Sequence, residues 1–214
     1  MKAKRVQMTD DALLDVDSPT WKEAETAGVE MAATPLALTA EASPFLAISD
    51  DHGAIKKLEV SALHNGKLIA VRLKWKSDKH DKIADLDSFL DGAAVIFPVA
   101  RGASAVTMGA KNKPTNAWYW RAGRSKPFEV IARGFKSVQR IKDESASDLT
   151  ASSVHRNGEW EVILRRSLGT KEGLVKLKAG GASKIAFAVW DGGNTERSGR
   201  KSFSGEFVDF EILK

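Results

Sequence analysis

Met108 stands in a polar loop immediately upstream of the most aromatic stretch of the chain. Residues 107–123 read TMGAKNKPTNAWYWRAG, so a thioether precedes Trp118, Tyr119 and Trp120 in a chain that has only 4 Met and 6 Trp. Methionine sulfur is a soft ligand for transition metals, although a methionine more often fills gaps in packing. Residue type alone leaves both roles open for Met108.

The aromatic cluster that follows has a geometric consequence. Side chains of successive strand residues point to opposite faces, so Trp118, Tyr119 and Trp120 cannot all face inward. We therefore expect something to cover the second face of this strand. The alternation around Trp75 and Trp160 favours a place in the core for those two residues.

The sequence does not assemble the usual hydrolytic or metal-binding constellations. It has no cysteine, which excludes disulfides, thiolate metal sites, a cysteine nucleophile and covalent haem attachment. The segment GGNTERSGR at 192–200 is rich in glycine but lacks the spacing of a phosphate-binding loop. No histidine begins an H-E-x-x-H pattern, and all lie in or beside predicted turns, which favours ordinary surface positions: His52, His64, His80 and His155.

Two Asn-Gly dipeptides predict β-hairpins with type I′ turns. Pairing around Asn65-Gly66 sets Ala62 opposite Ile69 and places the apolar residues of both strands on one face. Pairing around Asn157-Gly158 sets His155 opposite Trp160 on an apolar face. His155 is therefore the one histidine for which a buried role stays open.

Alternating and apolar runs predict further strands, and few segments resemble helices. Short helical pieces are predicted around 10–15 and at 82–92. Many short strands joined by turns favour an all-β fold, a single antiparallel β-sandwich formed by one domain over residues 1–214. The other predicted strands are 93–100, 117–122, 184–191 and 205–213.

Charge and hydropathy narrow the possible partners. Lys and Arg total 33 against 28 Asp and Glu, giving +5 and a pI near 9.3, with both signs spread along the chain. This mild basicity fits an acidic protein partner at least as well as nucleic acid. No stretch is apolar enough for a membrane span, and the start MKAKRVQMTDD lacks the apolar region of a leader. We expect a cytoplasmic protein or one whose leader has been removed.

Three segments together resemble a known family. They read VRLKWKSDKHDKIADLDSFLDGAAVIFPV, then TMGAKNKPTNAWYWRA, and later IAFAVWDGGNTERSGRKSFS. This order resembles the haem b (gamma) subunits of periplasmic molybdenum enzymes related to dimethyl sulfoxide reductase. Those enzymes include ethylbenzene dehydrogenase, dimethyl sulfide dehydrogenase, selenate reductase and chlorate reductase. The likeness covers residues 71–122 and 185–212, and the family's β-sandwich agrees with the fold predicted above.

The resemblance implies one non-covalent haem b with Met108 and Lys201 as axial ligands. It implies no catalytic residue, because both axial positions are filled by protein. Trp118, Trp120 and Trp190 adjoin the two ligand loops and are expected to form walls of the haem site. The subunit would relay electrons between an iron-sulfur subunit, beside a molybdopterin catalytic subunit, and a soluble c-type cytochrome. A heterotrimer located in the periplasm is the implied setting.

Two other functions remain open at this point. The tryptophan-rich strand suits a carbohydrate-binding β-sandwich module, because exposed aromatic faces stack on sugars. A structural or interaction domain without haem is the third possibility. The haem hypothesis requires the loops that carry Met108 and Lys201 to converge in space, although the two residues are about 90 positions apart.

Overall fold

β-Strands make up most of the regular secondary structure of the fold. A computed structural model describes residues 1–35, 37, 38, 40, 51–82, 89–141, 147–169 and 172–214. Short 3₁₀ helices cover Ala12–Leu14, Pro19–Glu23 and Phe135–Ser137. The described strands are β1 (Lys2–Arg5), β2 (Thr26–Glu30), β3 (Ala32–Ala33), β4 (Lys57–His64), β5 (Leu68–Lys76), β6 (Gly92–Pro98), β7 (Thr115–Arg121), β8 (Phe128–Ala132), β9 (Gln139–Arg140), β10 (Thr150–Arg156), β11 (Glu159–Ser167), β12 (Gly181–Trp190), β13 (Ser202–Phe203) and β14 (Val208–Ile212).

The strands form two layers that are joined through β12. Hydrogen bonding follows the order β10-β11-β5-β4-β1-β14-β12-β6-β7-β8-β9. The first half of β12 pairs with β14 and the second half pairs with β6, so this strand passes from one layer to the other. Alternate residues of both layers meet in the main core, which confirms the predicted β-sandwich.

The hairpin at Asn157-Gly158 has the predicted turn and register. Both turn residues have positive φ, 54° and 73°, as a type I′ turn requires. His155 pairs with Trp160 across the two strands. The predicted placement of this histidine is therefore confirmed.

The β4–β5 hairpin differs from the prediction by two residues. Ala62 pairs with Val71 instead of Ile69, so the turn is centred on Gly66-Lys67. Gly66 has φ 90°, while the Asn65 side chain accepts hydrogen bonds from the N–H groups of Lys67 and Leu68. A shift of two residues leaves each side chain on its predicted face, because strand faces repeat every two residues.

The N-terminal strand adds parallel pairing to an otherwise antiparallel arrangement. β1 lies between β4 and β14 and runs parallel to both. Three of its four residues are exposed and only Ala3 is buried. The strand therefore carries no apolar alternation that sequence analysis could detect.

Of the two predicted helices, one is shorter than predicted and the other lies largely outside the described residues. The segment predicted at 10–15 is reduced to one 3₁₀ turn at Ala12–Leu14. Residues 83–88, the centre of the helix predicted at 82–92, lie outside the described residues. Within the described part of the chain, no helix has the length and hydropathy needed to cross a membrane.

A buried ionic network crosses the core beneath β7. Arg166 on β11 and Glu129 on β8 form an ion pair with Nη1 and Oε2 3.0 Å apart. Asn116 donates to the same Glu129 oxygen at 2.9 Å, and Ser147 donates to the other at 2.7 Å. Arg166 also donates to the Val175 carbonyl at 2.9 Å. The network satisfies both buried charges, which an apolar core requires.

Candidate cofactor cavity

A cavity of about 390 Å³ lies against the layer that contains β6, β7, β8 and the second half of β12. It is on the outer face of this layer, opposite the main core. Its floor consists of residues from β6, β7, β8 and β12 that point away from that core. Four of the six floor residues are alanines, whose small side chains leave space that larger ones would fill. The floor residues are Ala94, Ile96, Ala117, Val130, Ala186 and Ala188.

Aromatic side chains form one wall of the cavity. The Tyr119 ring lies 4.9 Å from the rings of both Trp190 and Phe128. Burial raises the pKa of the Tyr119 hydroxyl to about 12, so this group is neutral at physiological pH. The Trp190 indole donates to the Ser198 carbonyl at 3.0 Å and thereby fixes the wall to the 192–200 loop.

Met108 lines the cavity from the loop that joins β6 to β7. Its φ of 55° lies in the left-handed region, which is strained for a residue with a side chain. The next residue, Gly109, packs so closely that a Cβ there would lie 2.6 Å from the Lys113 carbonyl oxygen and 2.9 Å from that of Ala132. The N–H of Gly134 donates to the Met108 carbonyl at 3.1 Å. The Met-Gly pair is therefore what allows the loop to present the thioether to the cavity.

Lys201 also lines the cavity, from the segment immediately before β13. The residue is only 6% exposed. No described residue forms a salt bridge or a hydrogen bond with its Nζ, which lies 5.5 Å from the centre of the Trp190 ring. Burial lowers the pKa of the Lys201 amine to about 8. An unpaired buried amine gives up its proton more easily than a free lysine does, and once deprotonated it can bind a metal.

Glu196 fixes the loop that leads to Lys201. Its carboxylate is buried, and Oε1 accepts from the N–H groups of Gly53 at 2.6 Å and Ala54 at 2.9 Å. The other oxygen accepts from the N–H of Asp191 at 3.1 Å. The backbone of β13 is held in turn by the Ser202 hydroxyl, which accepts from the N–H of Ile55 at 3.0 Å. Lys201 is thus positioned by contacts with a segment about 145 residues earlier.

Asp91 holds the start of the same loop. Its Oδ1 accepts from the N–H of Gly192 at 2.9 Å, and Oδ2 accepts from the Trp160 indole at 2.8 Å and from the Asp81 N–H at 3.0 Å. Carboxylate oxygens of Asp81 and Asp191 lie within 4.8 Å of it. Burial is the largest cause that raises the Asp91 pKa to about 6, and the Asp81 charge adds to it.

The raised Asp91 pKa predicts a pH-dependent stability. The folded state binds this proton more tightly than the unfolded state, so the contribution is full below the unfolded pKa and is lost as pH rises through about 6. The Asp91→Asn variant has no such proton. We therefore expect the free energy of unfolding of the wild type, relative to Asp91→Asn, to fall between pH 4.5 and 7.5 in urea titrations. A difference that is constant with pH would contradict this assignment.

The structure brings together three of the five predicted site residues. Met108, Lys201 and Trp190 line the cavity. Trp118 and Trp120 do not; they lie in the main core on the other face of β7, where Trp120 contacts Trp75 and Trp160. Tyr119, between them, takes the cavity side. The sequence predicted that Tyr119 would point to the opposite face from Trp118 and Trp120, because strand side chains alternate. It did not show which of the two faces would line the cavity.

The histidines lie away from the cavity lining. His155 donates from Nε2 to the Ser77 carbonyl oxygen at 2.8 Å, and its ring stacks on that of His80 with the ring centres 4.8 Å apart. The expectation of surface positions is wrong for His52 and His64, which are 5% and 0% exposed. Each is buried because its Nε2 bonds a distant backbone carbonyl, that of Thr34 for His52 and that of Leu213 for His64.

Sequence comparison places the chain among known proteins. A sequence model described as ethylbenzene dehydrogenase matches residues 18–144 and 134–202. The chain belongs to this ethylbenzene dehydrogenase family. The match includes the loops of both Met108 and Lys201.

Three curated relatives are similar over most of this chain. The chlorate reductase subunit gamma of Ideonella dechloratans is 37% identical over 158 residues, 72% of this chain and 64% of that protein. A putative respiratory nitrate reductase heme subunit of Haloferax mediterranei is 30% identical over 190 residues, 87% of this chain and 64% of that protein. The dimethylsulfide dehydrogenase subunit gamma of Rhodovulum sulfidophilum is 26% identical over 201 residues, 91% and 73% respectively. The matches to the first two relatives span slightly less than two thirds of their length.

Solved structures with the same fold are more distant in sequence. A family 9 carbohydrate-binding module from Caldicellulosiruptor kristjanssonii, in complex with glucose, has a TM-score of 0.52 at 8% identity, covering 99% of this chain and 94% of that one. A putative carbohydrate-binding protein from Bacteroides uniformis has a TM-score of 0.57 at 11% identity, covering 99% and 98%. At such identities the likeness concerns the fold alone.

Proposed function

We propose that the chain is an electron-transfer subunit that binds one non-covalent haem b in the cavity, with Met108 and Lys201 as axial ligands. The observation that carries this proposal is the presence of both side chains in one cavity whose floor is apolar. The aromatic wall suits the flat, apolar macrocycle of a haem, and the unpaired Lys201 amine suits its iron as a ligand. The amine is the donor least easily explained by packing, since buried lysines are normally paired.

The cavity residues would each have a defined task. Lys201 offers the lone pair of its neutral amine, a state favoured by burial. Met108 offers a thioether, which favours ferrous iron and a high reduction potential. The apolar floor and the aromatic wall exclude water from the site. The bound haem supplies a single-electron change, and two protein ligands leave no open position for a substrate.

The partners follow from the relatives and remain part of the proposal. Two relatives are gamma subunits of a chlorate reductase and a dimethylsulfide dehydrogenase, and a third is a heme subunit. By analogy, this chain would accompany a molybdopterin catalytic subunit and an iron-sulfur subunit in the periplasm. It would exchange electrons with a soluble c-type cytochrome. Residues 1–214 would act as one haem-binding unit that does not itself catalyse the reaction.

Hemin titration of the purified protein tests this function. We expect a Soret band that saturates at one equivalent and a reversible one-electron reduction. Ala117→Phe fills the cavity floor without altering either ligand, so this control should lose the saturable band. A wild type that takes up no hemin, or a control that takes up the same amount, would refute the proposed site.

Replacement of Met108 is expected to weaken but not abolish haem binding. Met108→Ala removes the soft ligand, which relatively favours ferric iron, so the midpoint potential should fall. Val106→Ala is a matched control because Val106 lines the same cavity from the same loop. Redox titration of both hemin-loaded variants measures the effect. A Met108→Ala variant with the wild-type spectrum and potential would show that Met108 is not a ligand.

The carbohydrate-binding alternative is not favoured by the structure. It requires Trp118 and Trp120 as an exposed stacking platform. These side chains are 0% and 4% exposed and belong to the main core.

A further inference from the structure

The positive charge of the chain is concentrated in one segment. Residues 92–141 contain nine Lys and Arg but one acidic residue, Glu129, and the rest of the chain contains 24 basic and 27 acidic residues. Glu129 is buried and paired with Arg166, so it does not offset the surface charge. Both signs occur along the chain, as expected, but the excess of basic residues lies in this one segment. The net charge of +5 arises entirely from this segment.

Four exposed cations of this segment surround the Met108 loop: Arg101, Lys111, Lys113 and Arg133. Lys113 Nζ lies 3.3 Å from the position that a Cβ on Gly102 would take, which brings the turn after Arg101 against Lys113. Lys113 also pairs through its backbone with Ala110, so Lys111 lies in the same turn. Arg133 precedes Gly134, whose N–H donates to the Met108 carbonyl. We call these four residues the basic rim.

The basic rim lacks the ion pairs that other exposed cations of the chain form. Lys4, Lys67 and Lys184 each pair with a carboxylate at 2.7–2.9 Å. Among the described residues, no salt bridge involves any of the four rim cations. The Glu206 carboxylate contacts this loop through other groups: it accepts from the Ser104 hydroxyl at 2.6 Å and from the Ala105 N–H at 3.1 Å. Unpaired like charges repel one another, which disfavours such a cluster unless a partner neutralises it.

The cavity lining also includes an exposed apolar residue. Val138 lines the cavity and is nevertheless 46% exposed. Phe135, from the same turn, also lines the cavity and is half-buried. A small apolar centre with a charged rim is the pattern of a protein–protein contact. Charge complementarity in such contacts mainly accelerates encounter and orients the partner.

We propose that the basic rim and Val138 form the docking surface for an acidic, soluble electron-carrier protein. The carrier would exchange electrons through the Met108 edge of the cavity, because Val138 lines the same cavity and Arg133 precedes Gly134, which bonds the Met108 carbonyl. The identity of the partner as an electron carrier rests on the proposed electron-transfer function. The charge complementarity itself is a property of the surface and does not require a bound cofactor.

A pair of charge-reversal variants isolates the surface. The rim variant carries Arg101→Glu, Lys113→Glu and Arg133→Glu. The control variant carries Lys2→Glu, Lys22→Glu and Lys176→Glu, which are exposed elsewhere and change the net charge equally. All six positions are exposed, and circular dichroism of both variants checks that the fold is retained.

The first measurement is binding to an immobilised acidic [2Fe–2S] ferredoxin, with the protein free of hemin. The ferredoxin stands in for an acidic c-type cytochrome, because the docking surface would recognise the acidic surface of the carrier and not its redox centre. We expect wild-type affinity to fall steeply as salt rises, about tenfold or more loss of affinity in the rim variant at low salt, and a change of less than threefold in the control. Equal losses in both variants would overturn the docking surface. So would rim-dependent binding to anionic phospholipid vesicles or to duplex DNA in place of the ferredoxin.

The rate of reduction of the hemin-loaded protein by the same ferredoxin is the second measurement. The rim variant should react about tenfold more slowly than the control, while a small uncharged reductant should react equally with both. If hemin binds but the two variants react at the same rate, the docking surface is wrong and the proposed function stands. If no hemin binds, the proposed function fails, and the ferredoxin-binding measurement still decides the docking surface.

Discussion

Lys201→Ala is expected to convert the hemin-loaded protein from a six-coordinate low-spin ferric spectrum to a high-spin one at neutral pH. The variant loses the only described cavity side chain with a neutralisable amine, and alanine offers no ligand in its place. Hemin affinity should fall by about tenfold or more, because one of two bonds from protein to iron is lost. Absorption spectra and hemin titration measure both effects.

Matched variants distinguish ligation by Lys201 from a general effect of losing a lysine. Lys184→Ala removes an exposed lysine paired with Asp209 and should leave the spectrum unchanged. Lys201→His should restore a low-spin spectrum, since imidazole is a competent iron ligand. His155 is the alternative ligand that the sequence offered, although the structure places it away from the cavity lining. If His155→Ala abolishes the low-spin spectrum and Lys201→Ala leaves it intact, the lysine assignment is wrong.

Arg166→Met is expected to destabilise the fold by about 3–5 kcal/mol, because it leaves the buried Glu129 carboxylate without its cation. The two side chains are 2% and 0% exposed, so water cannot replace the lost partner. The guanidinium also lies 5.0 Å from the Trp118 ring centre and bonds the Val175 carbonyl. Urea unfolding of the protein without hemin gives the change in free energy.

A surface ion pair provides the control for this effect. Lys184→Met breaks the exposed pair with Asp209 and should cost less than about 1 kcal/mol. The double variant Arg166→Met/Glu129→Leu removes both charges and should recover part of the loss. An Arg166→Met effect as small as that of Lys184→Met would show that the network contributes little to stability.

Local patterns predicted much of the sheet. The Asn157-Gly158 turn was fixed by two residues that tolerate positive φ. At Asn65-Gly66 the turn is instead centred on Gly66-Lys67, and the Asn65 side chain accepts from the N–H groups of Lys67 and Leu68. The faces of β4 and β5 were still predicted correctly, since the error in register was an even number of residues.

The site was predictable only in part because its geometry depends on distant contacts. Motif resemblance identified Met108 and Lys201, and the structure brings both to one cavity. The role of Glu196 was missed because its partners, Gly53 and Ala54, are about 140 residues away and bond through their backbone. Tyr119 was missed because nothing local shows which side of β7 faces the core. The alanines of the floor carried the one usable signal, since Ala186 and Ala188 occupy alternate positions of β12.

A crystal structure of the hemin-loaded protein tests the central claim most directly. We expect one haem in the cavity on the outer face of β6, β7 and β12, with its iron bonded to the Met108 sulfur and the Lys201 nitrogen. An iron bonded to any other side chain, or a haem bound outside this cavity, would contradict it.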